Sequence, residues 1–452
     1  MAKENPSIAR SAAIDSGAQI AVMAFSFAAG IYLARKLGDT GRGRYVFATT
    51  FAGQLVFSMV NLGMELAASV SVAKDRSRLS EVHTLIVVTC SLLLLVLTLL
   101  TWACFDEIRF VFLPGIERYS VLALTLAMPF WVYQSSVYGM LVGLNAIRAR
   151  AIFDLVFNLV QNLLVVLILA SMSGEVEDEV VRMLILSFYF TIIGSCFCLW
   201  AMMVFRGVRW RGPKWDLIAE FYRYGFWVYI GNMGNGFGQR IDQYFLKQLT
   251  TGAGAFGKYN LATSLTNRMR VFPQALSRSV YPRLASATEK EAAELTAASF
   301  RQMFVMSLLL CVIGTITSPL IPIVYTKEFA AAVFPFIIFL FGKLFSHCSW
   351  MLSNYFSGYL ARPQIPMVIN WAVLPLQGAA AWFALTQIGG LTALAAMTSV
   401  AYFLVFLMFL IVFLRMQKHV GMRDLFIPRA GDLDPWKRFI GKRWSGPRAS
   451  KT

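Results

Sequence analysis

Gly43-Arg44-Tyr45-Val46-Phe47-Ala48-Thr49 and Gly257-Lys258-Tyr259-Asn260-Leu261-Ala262-Thr263 share one pattern, G-[RK]-Y-x-x-A-T. Each comes after a glycine-rich turn and opens an apolar segment. A match this short gains its weight from position, because the two copies open the second and the eighth of about twelve apolar segments. They therefore mark the same point in each of two six-span halves. Both segments would run inward, so the halves are expected to be parallel repeats about an axis along the membrane normal. Transporters use that arrangement for alternating access around a central cavity. A channel can carry such repeats too, so the pattern supports transport in the broad sense.

Composition agrees with a membrane setting. Of 452 residues, 58% are hydrophobic and only 14% charged, against about 25% charged in an ordinary soluble domain. So little charge cannot cover a water-facing surface. Helices are expected at roughly 11–34, 45–71, 83–105, 118–141, 147–171, 181–205, 222–246, 256–281, 300–325, 331–357, 365–387 and 390–414, each long enough for a hydrocarbon core of about 30 Å. Leu113-Pro114-Gly115, Arg211-Gly212-Pro213 and Arg362-Pro363 interrupt the pattern where loops are needed. The first residues lack the layout of a cleaved secretory signal, so the first span is expected to stay. The expected architecture is all-α and polytopic: an N-terminal six-helix lobe over 1–205, a basic linker over 206–220, a C-terminal six-helix lobe over 221–414 and a basic tail over 415–452.

The formal charge is +17, which in another setting would suggest nucleic acid. Here the basic residues cluster in short loops and the tail, as in cytoplasmic loops of membrane proteins. Lys74, Arg76, Arg78, Arg148, Arg150, Arg206, Arg209, Arg211 and Lys214 fall on one side if both termini are cytoplasmic. The acidic loop Glu175, Glu177, Asp178, Glu179 then lies outside. Arg35, Lys36, Arg42 and Arg44 break the rule, since they would also lie outside. The six cysteines lack metal-site spacing and read as small packing residues. No phosphate-cradling loop, metalloprotease pair or nucleophile elbow is present, and no external loop has room for a catalytic domain. No catalytic residue, metal or cofactor is expected.

A cation at the centre of a span costs about 2.5–3.5 kcal/mol. Arg268 and Arg270 near the middle of the eighth span, Arg240 in the seventh and Lys343 in the tenth are therefore expected to face a wet cavity that receives an anion. The competing account is snorkelling, or structural pairing of Asp242 with Arg240 or Lys258. Arg268 and Arg270 lie about 200° apart around a helix, so one of them at most faces a given direction. Candidates for ion coupling or a polar lining are Glu65, Asp242, Asp154, Asp15 and His347, the last one turn beyond Lys343. Asn158, Gln161 and Asn162 fit bonds between helices better than ligand contacts.

The stretch Tyr32-Leu33-Ala34-Arg35-Lys36-Leu37-Gly38, with Gly41-Arg42-Gly43-Arg44-Tyr45 after it, resembles the start of bacterial polysaccharide (Wzx-type) flippases. So do Asp242, Gly257-Lys258-Tyr259, Pro273-Gln274-Ala275-Leu276 and Tyr281-Pro282-Arg283-Leu284 in the second half. These belong to the multidrug/oligosaccharidyl-lipid/polysaccharide (MOP) exporter superfamily, and the resemblance runs over essentially the whole chain. It implies two six-helix lobes in a V around a central cavity. It also implies movement of an undecaprenyl-diphosphate-linked oligosaccharide from the inner to the outer leaflet of the bacterial inner membrane, for surface polysaccharide synthesis. Arg268, Arg270, Arg240 and Lys343 are then the candidates for the diphosphate. Expected partners are that lipid-linked substrate, membrane lipids, and the polymerase and glycosyltransferases of the same pathway. The rival readings are an ion-coupled exporter of small molecules and a membrane-embedded polysaccharide polymerase or ligase.

Overall fold

The computed structural model describes residues 6–112, 118–144, 146–171, 176–250, 252–270 and 287–427 apart from 361 and 363, together with 273, 276, 280 and 284. In order, the helices are α1 Pro6–Val46, α2 Gly53–Val60, α3 Met64–Lys74, α4 Leu79–Ala103, α5 Phe105–Phe112, α6 Arg118–Gly143, α7 Ile147–Ala170 and α8 Val176–Arg206 in the first lobe. The second lobe has α9 Trp215–Gly238, α10 Ile241–Leu249, α11 Ala253–Arg268, α12 Glu289–Thr317, α13 Ile321–Val324, α14 Val333–Asn354, α15 Gln364–Phe383, α16 Leu391–Met416 and α17 Met422–Phe426. Among the described residues there is no strand. With lipid on the outside and no water to satisfy backbone groups, helices are the natural way for such a chain to cross.

Nine helical stretches among the described residues are long and apolar enough to span a membrane, and the first, Gln19–Val60, covers two of the expected spans. The seventh expected span is not among them, nor is the eighth, whose described helix, Ala253–Arg268, is 16 residues long. The expected 222–246 helix is in fact two helices broken at Gln239 and Arg240. The expected 45–71 helix is also broken, at Asn61–Gly63, where Leu62 and Gly63 take φ of 50° and 67°. The eighth span is continuous to Arg268, and most of the stretch between Arg270 and Ala287, including Arg278, Tyr281 and Arg283, lies outside the described residues.

Packing order reveals the repeat. In the first lobe α1 packs on α7, α7 on α8, α8 on α6, and α6 on α4 and on the second span, α2 with α3, whose counterpart in the second lobe begins with α11. In the second lobe α9 packs on α15, α15 on α16, α16 on α14, and α14 on both α11 and α12. The two series are the same arrangement built twice. The lobes meet through α1 with α11 and through α2 and α3 with α9. At the first seam the two motif glycines lie back to back. A Cβ on Gly43 would run into the Ala253 carbonyl, and one on Gly257 into the Asp39 carbonyl. Ala253 and Asp39 are themselves equivalent positions, so this is a contact on the pseudo-twofold axis, and only glycine lets the backbones come so close.

The basic cluster that broke the charge rule is held at this seam. Arg35 donates to the Val324 and Ile323 carbonyls at 2.8 and 3.4 Å, where a cation suits the C-terminal end of α13. Arg42 is buried over the Tyr325 and Phe329 rings. Lys258 pairs with Asp39 at 2.7 Å, and Glu328 accepts from the Asp39 amide. The start of the tail is likewise docked: α17 packs on α12, with Phe426 against Phe300 and Phe304 and Arg301 donating to the Asp424 carbonyl.

Candidate functional site

Among the described residues, three adjoining cavities share Asn232 at and beside the seam. One of about 390 Å³ lies between the lobes, where Gln54, Asn61 and Glu65 face Asn235, Arg240 and Arg270. A second, about 290 Å³, continues past Asn61 and Glu65 to Arg150 on α7. The third, about 740 Å³, lies within the second lobe between α9, α14, α15 and α16 and includes Lys343 and His347. Asn232 lines all three, and Arg270 the first and third.

Their polarity comes from helical spacing. On α11, Asn260, Thr263, Ser264 and Asn267 recur every three or four residues and so share one face, which lines the inter-lobe cavity. Asn232, Asn235 and Gln239 do the same at the end of α9. Weighing charges alone along the sequence misses these amides. Their signal is present there, as polar residues at helical period inside apolar spans.

Of the four expected cationic residues, the structure brings three together. Arg240 donates through Nη2 to Gln54 Oε1 across the lobes and through Nη1 to the Gly236 carbonyl at 3.2 Å. Arg270 lies 4.0 Å over the Trp350 ring. Lys343 donates to Gln239 Oε1 at 2.8 Å and to the Tyr402 hydroxyl at 3.3 Å, within the fields of Arg270, Arg240 and Asp242. Arg268 points elsewhere. It donates to the Ser26 carbonyl at 3.1 Å, covers the Phe27 ring and lines an apolar groove between α1 and α11 with Met23, Leu320 and Ile321. Two residues of separation put Arg268 and Arg270 on opposite sides of their segment.

Ser26 and Arg240 are separated by the interval that separates Gly43 from Gly257, and so are Gln54 and Arg268. The bonds Arg240 to Gln54 and Arg268 to Ser26 are therefore one contact formed twice about the axis, with the donor in the second lobe both times.

The acidic candidates separate as well. Glu65 lines the two cavities between the lobes and accepts from the Ser135 hydroxyl at 2.6 Å. Asp242 is 3% exposed and fully engaged inside the second lobe, accepting from the Tyr259 hydroxyl at 2.5 Å, from Thr398 at 3.3 Å and from the Gln243 amide at 2.8 Å. Asp154 accepts from Asn158 on its own helix at 3.0 Å, and Asn162 donates across to Ser26 at 3.1 Å. The side chain of Asp15 lies outside the described residues. His347 bonds Ser307 through Nδ1 at 3.2 Å and faces the second-lobe cavity.

The seam is also bridged at the end that carries the α8–α9 linker, where Lys74 of the first lobe and Glu220 of the second pair at 2.6 Å. The hydrogen bond and charge of Lys74 hold the Glu220 carboxyl below the usual carboxylate range.

The chain matches the model of a family described as polysaccharide biosynthesis protein over residues 8–288. No curated protein sequence matches it. Among solved structures it resembles a multidrug resistance MATE family transporter of the MOP superfamily in its inward-facing conformation, with a TM-score of 0.67 at 13% identity over 87% of this chain and 93% of that one. The outward-facing conformation of such a transporter gives 0.65 at 13% identity over 90% and 94%. A MOP superfamily transporter from Pyrococcus furiosus, described as having a binding pocket of reverse polarity, gives 0.62 at 13% identity over 90% and 94%. With well over half of its length matched, the chain belongs to the polysaccharide biosynthesis protein family, set on the two-lobe helical fold of MOP superfamily transporters.

Proposed function

We propose that the protein is a flippase that carries an undecaprenyl-diphosphate-linked oligosaccharide from the inner to the outer leaflet of the bacterial inner membrane, with both termini cytoplasmic. The observation that carries this reading is the meeting of Arg240, Arg270 and Lys343 in amide-rich cavities along the lobe seam. Three cations and neutral hydrogen-bonding groups suit a diphosphate joined to sugars. Arg268, in its apolar groove, stands where a polyprenyl chain can remain in lipid beside the headgroup. The lobes, 1–205 and 221–414, rock against each other so that the seam opens at each end in turn, with 206–220 joining them on the cytoplasmic side. A potential negative inside assists the outward passage of an anion by about 2.3 kcal/mol per charge per 100 mV. Glu65 and Asp242 are the candidates for ion coupling, and the polymerase and glycosyltransferases of the pathway are the proposed partners.

The test is the pool of lipid-linked oligosaccharide in cells that lack both the protein and any redundant flippase. Complete units accumulating on the cytoplasmic side, with surface polymer lost, are expected. An Arg240→Gln/Arg270→Gln variant at normal abundance should fail to restore polymer. An unchanged pool with intact surface glycan, joined to new drug sensitivity, would instead favour an ion-coupled exporter of small molecules.

A further inference from the structure

The second-lobe cavity carries more polarity than an anion site requires. Asn232, Asn235 and Gln239 face it from α9, and Asn370 and Gln377, seven residues apart and hence on one face, from α15. Gln377 is 8% exposed and its Oε1 has no hydrogen-bond partner. His347 is 5% exposed, and while Nδ1 is engaged by Ser307, Nε2 has none. Buried polar atoms without partners are costly, so both are poised for a ligand that brings hydrogen-bonding groups.

The chemistry of the walls narrows that ligand. No carboxylate lines the cavity among the described residues, which removes the usual anchor for an organic cation. An apolar ligand would leave the amides unsatisfied. Amide and hydroxyl groups together offer donors and acceptors in the pattern that ring hydroxyls need. Trp227, about half exposed at 49%, also lines the cavity and supplies an aromatic ring of the kind that packs on the C–H side of a sugar. The volume, about 740 Å³, lies within the usual range for ligand pockets of about 300–1,000 Å³. Arg270 stands where this cavity meets the inter-lobe one, and Lys343 lines the second-lobe cavity and bonds the shared Gln239.

We propose that this cavity is a saccharide subsite that holds the sugars next to the diphosphate, with ring hydroxyls on Gln377, Asn370 and the α9 amides. The assignment rests on the flippase reading and adds that substrate choice is made inside the second lobe.

The test compares two probes on the purified full-length protein by native mass spectrometry: the lipid-linked oligosaccharide extracted from cells lacking the protein, and bare undecaprenyl diphosphate. The wild type should prefer the glycosylated lipid by roughly tenfold or more, since a site built to bond hydroxyls discriminates against a ligand without them. Asn370→Leu/Gln377→Met should bring the ratio of the two affinities close to one. If that variant does not fold, Asn232→Leu, on the exposed cavity face, should lower the ratio several-fold. A wild-type ratio near one, or a ratio unchanged in folded variants, would overturn the subsite. Those results leave the flippase reading standing provided that Arg270→Gln weakens both lipids. Binding of neither probe by the wild type would sink the flippase reading and the subsite with it.

Discussion

Single side chains here are kept in place by the partners they would strand. Asp242 answers the Tyr259 hydroxyl, the Thr398 hydroxyl and the Gln243 amide at once. Asp242→Ala strands these donors and should cost about 1–3 kcal/mol. Asp242→Asn, which keeps an acceptor, should cost less. Thermal unfolding in detergent checks the order, and equal midpoints for the two variants would mean that the cluster is not under load. The paired arginines make a finer prediction. Arg240 bonds a side chain, Gln54, whereas Arg268 bonds a main-chain carbonyl at Ser26. Gln54→Leu should therefore destabilise by about 1–2 kcal/mol, whereas Ser26→Ala removes only its bond from Asn162 and should stay below about 1 kcal/mol. The symmetry is in the contact and the asymmetry is in the chemistry that makes it.

At the scale of elements, the break between α2 and α3 sets where the first lobe meets α9. Gly63 sits at φ 67°, and a Cβ there would meet the Gly225 carbonyl. Gly63→Ala should cost about 1–3 kcal/mol in strain, more once the collision is added, and the yield of folded protein measures it. This break also marks the limit of what periodicity could reveal. Hydropathy located nearly every span because lipid selects apolar length and little else. It joined 45–71 and 222–246 into single helices because a local turn at Gly63 or Arg240 leaves the average untouched. The repeat motif was legible, and it marks the seam where Gly43 and Gly257 touch. The division of Arg268 from Arg270 was legible as an angle, whereas which cavity each faces depends on α1 and α14, far away in sequence. Arg42 read as a stray loop charge because its partners, Tyr325 and Phe329, belong to the other half.

The seam of the whole molecule is bridged by ion pairs on different helix pairs, with cavities along it. Asp39 and Lys258 join one end, Lys74 and Glu220 the other. Because the Glu220 carboxyl is held below its ordinary value, near 4.3, the second pair is complete above that value and is lost as pH falls through the lowered one. Spin labels at Arg76→Cys and Asp216→Cys should report separation on acidification, and Glu220→Gln should reproduce it at neutral pH. An exposed pair is worth at most about 1 kcal/mol, enough to shift a population and too little to hold a gate alone. Alternating access makes a stronger demand, that each end must open in turn. With the exposed Cys104 and Cys196 replaced, Asp39→Cys/Lys258→Cys and Lys74→Cys/Glu220→Cys should each abolish transport when cross-linked and recover it on reduction. Appearance of surface polymer in pulse-labelled cells reads the result. If the Asp39/Lys258 lock is silent while the other stops transport, the glycine seam is a fixed pivot and the lobes open at the linker end only. That outcome would remove alternating access, since a cavity with one mouth cannot deliver its cargo to the opposite leaflet.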